Sequence, residues 1–143
     1  AGGKNVSPAI LEDPIRADPI IDQVIVVGEQ RQFIGALISL DREMLPAWLK
    51  SQGEASDMSL EDAARNPKVL AECQKAIDKA NSSVSRAESI RKFVILDSDL
   101  TEATGHLTPK LSIKRNVILQ DFAGVIDDLY TGATAAKEAS AAK

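Results

Sequence analysis

The spacing of apolar positions changes several times along the chain, and each change marks an element. "SPAILEDPIRA" begins with Ser7, suited to cap a helix, and Pro8, suited to its first position, so it predicts a helix that Pro14 ends or kinks early. "IIDQVIVVGE" and "QFIGALISL" are β-branched and apolar, with a Gly and charged residues in positions 28–32 between them, and predict a β-hairpin. "DREMLPAWLKSQG" predicts a short helix interrupted by Pro46, with Trp48 on its apolar side as an anchor onto the sheet. Ser59 followed by Asp62 three residues later marks a helix start for "LEDAARN".

Asn66 and Pro67 open the most regular amphipathic stretch, in which Val69, Leu70, Cys73, Ala76, Ile77 and Ala80 fall at helical spacing and Lys68, Glu72, Lys75 and Lys79 lie outside. "SIRKFVILD" returns to strand character. "SDLTEATGHLTPKLSIKR" reads as a polar loop followed by a short extended piece, and "NVILQDFAGVIDDLY" closes with Ile118, Phe122, Val125, Ile126 and Leu129 on one face. Beyond Tyr130, "TGATAAKEASAAK" has no large apolar residue to anchor it, so a mobile or only partly helical tail is expected over 131–143. Residues 1–130 thus predict one α+β domain. Its small, mainly antiparallel sheet, a hairpin plus one later strand, is flanked by helices, with an inserted helical excursion over about residues 41–89.

Composition narrows this picture. A length of 143 residues suits one core, and 44% hydrophobic with 27% charged residues is the balance of a globular chain. Aromatics are only 3%, so Ile, Val, Leu and Ala must build the core. A net charge of −4 argues against a broad nucleic-acid footprint, and any anion site must be local. Cys73 is the sole cysteine, which excludes an internal disulfide framework and a thiolate metal site and fits a reducing compartment. His106 is the sole histidine, so an all-histidine metal site is excluded too. The longest apolar runs, Val24 to Val27 and Phe33 to Leu40, are too short for a transmembrane segment, and no signal-peptide pattern is visible.

Two stretches could carry chemistry. Gly2-Gly3-Lys4 has the ingredients of a phosphate loop without the spacing, since Asn5 stands where a Ser or Thr would follow the lysine; taken alone, a turn is favoured. The helix start just beyond it offers free N–H groups to an anion. In "TPKLSIKR", strand alternation would set Lys110, Ser112 and Lys114 on one side and Leu111, Ile113 and Arg115 on the other. That is either a charged edge that discourages aggregation or a lysine lever reaching a phosphate. Asp97, Asp99, Glu102 and His106 fit no EF-hand spacing and read as a solvated acidic loop, with no metal site. Cys73, on an apolar helix face, belongs to the core, and no G-x-S-x-G appears.

Taken together, "GGKNVSPAILE", the "QVIVVGE" to "FIGALISL" hairpin, "LTEATGHLTPKLSIKR" and a last helix ending "IDDLY" resemble the small C-terminal domain of bacterial AMP-forming long-chain fatty acid–CoA ligases, within the adenylate-forming superfamily. The resemblance runs from Gly2 to Tyr130, and its glycine-lysine loop and "LTP" to "KR" blocks are hallmarks. It implies a large N-terminal domain holding ATP, Mg2+ and the fatty acid, joined by a hinge upstream of Gly2-Gly3-Lys4, and a reaction through acyl-AMP to acyl-CoA. It also implies that this domain rotates between the two steps, so that the "TPKLSIKR" segment serves adenylation and the Gly2-Gly3-Lys4 loop lines the path of CoA. Lys114 is the first choice for the adenylating lysine and Lys110 the second, because Ser112 stands where long-chain members carry a lysine; Ser112 and Arg115 are candidate phosphate contacts. A cytoplasmic location follows from the resemblance, with peripheral membrane attachment left open. Two other classes are weighed against it: a non-catalytic α+β module that binds CoA or a nucleotide phosphate, and a structural fragment whose sheet edge pairs with another chain.

Overall fold

The structure, a computed structural model, describes residues 8–28 and 31–131. Gly2, Gly3, Lys4, the capping role of Ser7 and the tail beyond 131 lie outside the described residues. Helix α1 (Pro8–Arg16) leads into strand β1 (Ile21–Val27), which returns as β2 (Ile34–Leu40). Helices α2 (Leu45–Ser51), α3 (Leu60–Arg65) and α4 (Pro67–Asn81) follow, then β3 (Ile90–Ile95), α5 (Arg115–Asp121) and α6 (Ala123–Thr131).

The hairpin expected from the sequence forms, with β1 antiparallel to β2 and Ile25 opposite Leu37. The later strand adds to β2 in parallel, with Leu37 opposite Val94, so the three-stranded sheet of order β1-β2-β3 is mixed. Parallel neighbours need a long crossover. Helices α2 to α4, the excursion expected between the strands, are that crossover.

Alternation along the strands sorts side chains to two faces. Val24, Ala36, Ile38, Phe93 and Ile95 join Leu11 and Ile15 of α1 and Val69, Cys73 and Ile77 of α4 in the larger core. Ile25, Val27, Leu37 and Val94 join Ile118, Ile126 and Leu129 in a smaller core beneath α5 and α6. The central strand β2 is therefore buried on both faces along its whole length. Gly35 permits the close approach of α6, because a Cβ there would stand 2.6 Å from Cδ2 of Leu129. Cys73 is fully buried, and desolvation pushes its thiol far above the ordinary range, consistent with a core role.

Caps and prolines explain the helix ends. The Ser59 hydroxyl accepts the Asp62 N–H, and the Asn66 side chain accepts from Lys68 and Val69, so α3 and α4 start where the sequence places them. Pro46 lies in the first turn of α2, where a missing N–H costs nothing, and Trp48 packs half-buried against the larger core. Pro14 does not end α1, which continues to Arg16. The carbonyl it leaves without an intrahelical donor belongs to Ile10, whose residue is 54% exposed, so water can reach that side of the helix. The final amphipathic stretch breaks into α5 and α6 at Phe122, yet Ile118, Ile126 and Leu129 share the expected buried side.

Candidate functional site

The "LTPKLSIKR" stretch is a tight turn between two short extended ends. Leu107 pairs with Ile113 in an antiparallel bridge. Within it the Thr108 N–H donates to the Ser112 carbonyl at 2.8 Å, the Leu111 N–H donates to the Thr108 carbonyl at 2.8 Å, and the Ser112 N–H donates to Thr108 Oγ1 at 3.2 Å. Pro109 fixes the first corner, as proline does in such turns. Leu111 has φ 66°, the left-handed region, which reverses the chain. The expected alternation of Lys110, Ser112 and Lys114 along an extended segment is therefore not realised. Lys110 sits at the corner, while Lys114 follows the closing end and precedes α5.

Both ends of the turn are moored. The Lys114 N–H donates to the His106 carbonyl at 2.8 Å. The His106 ring, 8% exposed, lies between Thr104 Oγ1 (2.7 Å from Nδ1) and Asp121 Oδ2 (2.8 Å from Nε2) and tilts against Phe122. It is thus a link from the turn to the end of α5 rather than a member of a solvated acidic loop. Gly105, at φ 84°, supplies the left-handed residue that turns the chain into it. Among the described residues no cluster of acidic, histidine and cysteine side chains could hold a metal.

On the other side, Arg115 forms a two-pronged pair with Glu12, Nη1 to Oε2 and Nη2 to Oε1 each at 3.0 Å. Glu12 Oε2 also accepts the Val26 N–H at 2.8 Å, and Arg115 Nη1 donates to the Val26 carbonyl at 3.4 Å. The pair so occupies the N–H and carbonyl of Val26 on the edge strand β1, as a neighbouring strand would. Arg115, expected as a phosphate contact, has its guanidinium committed to this pair. The role of Glu12 was not anticipated, although it is the lone charge in the stripe Pro8, Leu11, Glu12 and Ile15, a spacing that places it on the buried side of α1.

The cations that remain are Lys110 and Lys114. Both are exposed, and among the described residues neither ammonium has a carboxylate partner. Ser112 is exposed beside them. A rigid turn presenting two unneutralised lysines fits an anionic ligand such as a nucleotide phosphate. A second latch ties α6 to the residues before β2. Tyr130 stacks at 4.5 Å on Phe33, its hydroxyl donates to the Phe33 carbonyl at 2.7 Å, and Arg31 covers its ring while pairing with Asp127 at 3.1 Å. Burial pushes the Tyr130 phenol up to about 12, against the opposing charge of Arg31, so it stays a donor at neutral pH.

The AMP-binding enzyme C-terminal domain family matches residues 1–134. The long-chain-fatty-acid–CoA ligase FadD15 of Mycobacterium tuberculosis is 48% identical over 130 residues, which take in 91% of this chain and 22% of that protein. The long-chain-fatty-acid–CoA ligase ACSBG2 of Gallus gallus is 30% identical over 93% of this chain and 20% of its own length. This chain thus spans about a fifth of the length of these curated relatives. In fold it is similar to the A domain of a carboxylic acid reductase from Segniliparus rugosus in complex with AMP and a co-purified carboxylic acid. That likeness has TM-score 0.69 at 19% identity and covers 92% of this chain and 19% of the other. The adenylation domain of a carboxylate reductase from Mycobacterium chelonae gives TM-score 0.68 at 18% identity, over 92% of this chain and 19% of that one. The extent of the family match and the identity to the ligases lead to one conclusion: the chain belongs to the AMP-binding enzyme C-terminal domain family.

Proposed function

We propose that this chain is the mobile C-terminal domain of a long-chain fatty acid–CoA ligase, which joins a fatty acid to AMP and then to CoA. The observation that carries this is the 48% identity to FadD15 over nearly the whole domain. In the first step a fatty carboxylate oxygen attacks the α-phosphorus of ATP, a P–O bond breaks, and pyrophosphate leaves. In the second the CoA sulfur attacks the acyl carbon and AMP leaves with its electron pair. ATP, Mg2+ and the acyl chain are held mainly by an N-terminal domain outside this chain.

The lysine turn faces that domain in the first step. There Lys114 or Lys110 offsets negative charge gathering around the carboxylate and the α-phosphate, and the anchored turn spares the reaction the cost of ordering it. Ser112 is placed to add a hydrogen bond to a phosphate oxygen. Arg115 acts through Glu12 as the mooring of Lys114, not as a phosphate ligand. Rotation of the domain then brings Gly2-Gly3-Lys4 to the CoA path, where glycines allow close backbone approach and Lys4 adds a cation.

Lys114→Ala in the ligase carrying this domain should slow acyl-AMP formation by on the order of a hundredfold to a thousandfold, the usual loss for one preorganised charge stabiliser. Thioester formation from supplied acyl-AMP should persist. The check is single-turnover pyrophosphate release beside acyl-CoA yield. If Lys110→Ala has the large effect and Lys114→Ala does not, the two lysines exchange roles. If the double variant adenylates normally, the electrostatic role of the turn is wrong.

A further inference from the structure

The loop from Thr108 to Ser112 has a geometry common to tight hairpins: a β-turn closed by the Leu111 N–H on the Thr108 carbonyl, with Leu111 itself in the left-handed region. Glycine is the residue that fits the left-handed position without steric cost. This chain has Leu111 there, at φ 66°, the one non-glycine residue with positive φ among the described residues. The side chain joins neither core of its own domain. It is 61% exposed, against 54% for Ile10 and 49% for Met44, the other large apolar side chains left in solvent among the described residues. A left-handed leucine strains the backbone, and a side chain left mostly in solvent recovers little of that cost by burial.

Resting on the ligase reading above, we propose that Leu111 is an apolar knob that seats in a recess of the large N-terminal domain during acyl-AMP formation and so positions the lysines beside it. The occupant of this surface is the rest of the same polypeptide, since about four-fifths of FadD15 lies outside the stretch this chain matches. Lys110 precedes Leu111 and Lys114 follows three residues later, so a seated leucine would carry both cations into the interface and strip water from it. Charge interactions strengthen where water is excluded. The left-handed backbone also fixes the direction of the knob before docking, which limits the entropy lost on closure. Leu111 is thus a positioning residue.

The test uses Leu111→Gly, Leu111→Asn and Leu111→Met, each in this chain and in the ligase carrying it. With backbone strain relieved, Leu111→Gly should raise the melting temperature of the chain by about 3 °C. In the ligase the same change should slow acyl-AMP formation roughly tenfold to a hundredfold, as expected when a positioning contact is lost. Thioester formation from supplied acyl-AMP should be kept. Leu111→Asn, tolerant of the left-handed backbone but polar, should show the same loss of adenylation, and Leu111→Met should restore most of it. Normal adenylation by both Leu111→Gly and Leu111→Asn would overturn the proposal, and so would equal loss of both half-reactions. A chain whose self-association depends on Leu111 would overturn it as well, by naming a second copy as the occupant. Slow adenylation in Lys110→Ala/Lys114→Ala alongside unaffected Leu111 variants would sink the knob and leave the ligase reading standing. No acyl-CoA product from the unsubstituted ligase would sink that reading itself.

Discussion

The two faces of the sheet are held by different physics. On one, α1 and α4 close over a broad apolar core in which Leu11, Ile15, Val69, Cys73, Ile77 and Phe93 are fully buried. On the other, α5 and α6 cover a smaller set around Leu37, Val94, Ile118 and Leu129, and specific polar ties supply what area does not. Those ties are Glu12 with Arg115, His106 with Thr104 and Asp121, and Tyr130 with the Phe33 carbonyl. The lysine turn belongs to the thin face. A loop on the less deeply packed side can be set by a few directed bonds without drawing on the main core.

The sharpest way to break this comparison is to hollow the thick face. Phe93 is fully buried opposite Ala36, so Phe93→Ala should cost about 3–5 kcal/mol, as large core truncations do. A melting temperature lowered by roughly 10 °C or more should be seen by circular dichroism. A shift of only a degree or two would mean that the larger core is not what holds the domain.

Next in size is the mooring of the turn. The Glu12 side chain is 8% exposed and that of Arg115 is 34% exposed, so the two partners are not equivalent. Arg115→Met strands a buried carboxylate and should cost about 3 kcal/mol. Glu12→Gln keeps an acceptor for the Val26 N–H and leaves a guanidinium that water can reach, so about 1 kcal/mol is expected. Amide exchange distinguishes the faces: Arg115→Met should speed exchange in α5 and α6 well before α4. Uniform acceleration over all three helices would show that the faces are not separate cooperative units.

The contrast also explains what the sequence could reveal. The hairpin, α4 and the buried side of α5 and α6 were legible because apolar spacing reports which side of an element is covered. The parallel pairing of β3 was not, because alternation sets the face of a strand and is silent on its neighbour's direction. The lysine segment was expected to be extended and is a turn. "TPKLSIK" carries no glycine at the position that reverses the chain, so the left-handed Leu111 hid the turn. His106 and Glu12 were invisible as ties because their partners, Asp121 and Arg115, are distant in sequence, and only tertiary structure brings them within 3.0 Å.

The smallest expected effect lies in a polar flaw of the thick face. Asp18, in the turn from α1 to β1, accepts the Ile20 N–H at 3.1 Å and meets Glu72 of α4. Burial first, and then the shared hydrogen bond with Glu72 and its charge, push the Asp18 carboxyl up from 3.8 to about 6, against the Ile20 N–H and Lys75. The folded chain therefore binds a proton between pH 3.8 and about 6 that the unfolded chain has released, so stability falls as pH rises through that window. Above it the Asp18 carboxylate carries its charge beside Glu72 and the penalty is complete. Asp18→Asn keeps an oxygen for the Ile20 N–H and gains an amide that can donate to Glu72. Because Asp18 is only partly buried, solvent screening reduces the gain to about 1 kcal/mol at pH 7.5. That gain should shrink as pH drops below 6 and be gone near 4, which chemical denaturation at four or five pH values would measure. A variant that is equally stabilised at every pH would locate the benefit elsewhere than in the carboxylate pair, and one that is destabilised at pH 7.5 would remove the flaw from the thick face altogether.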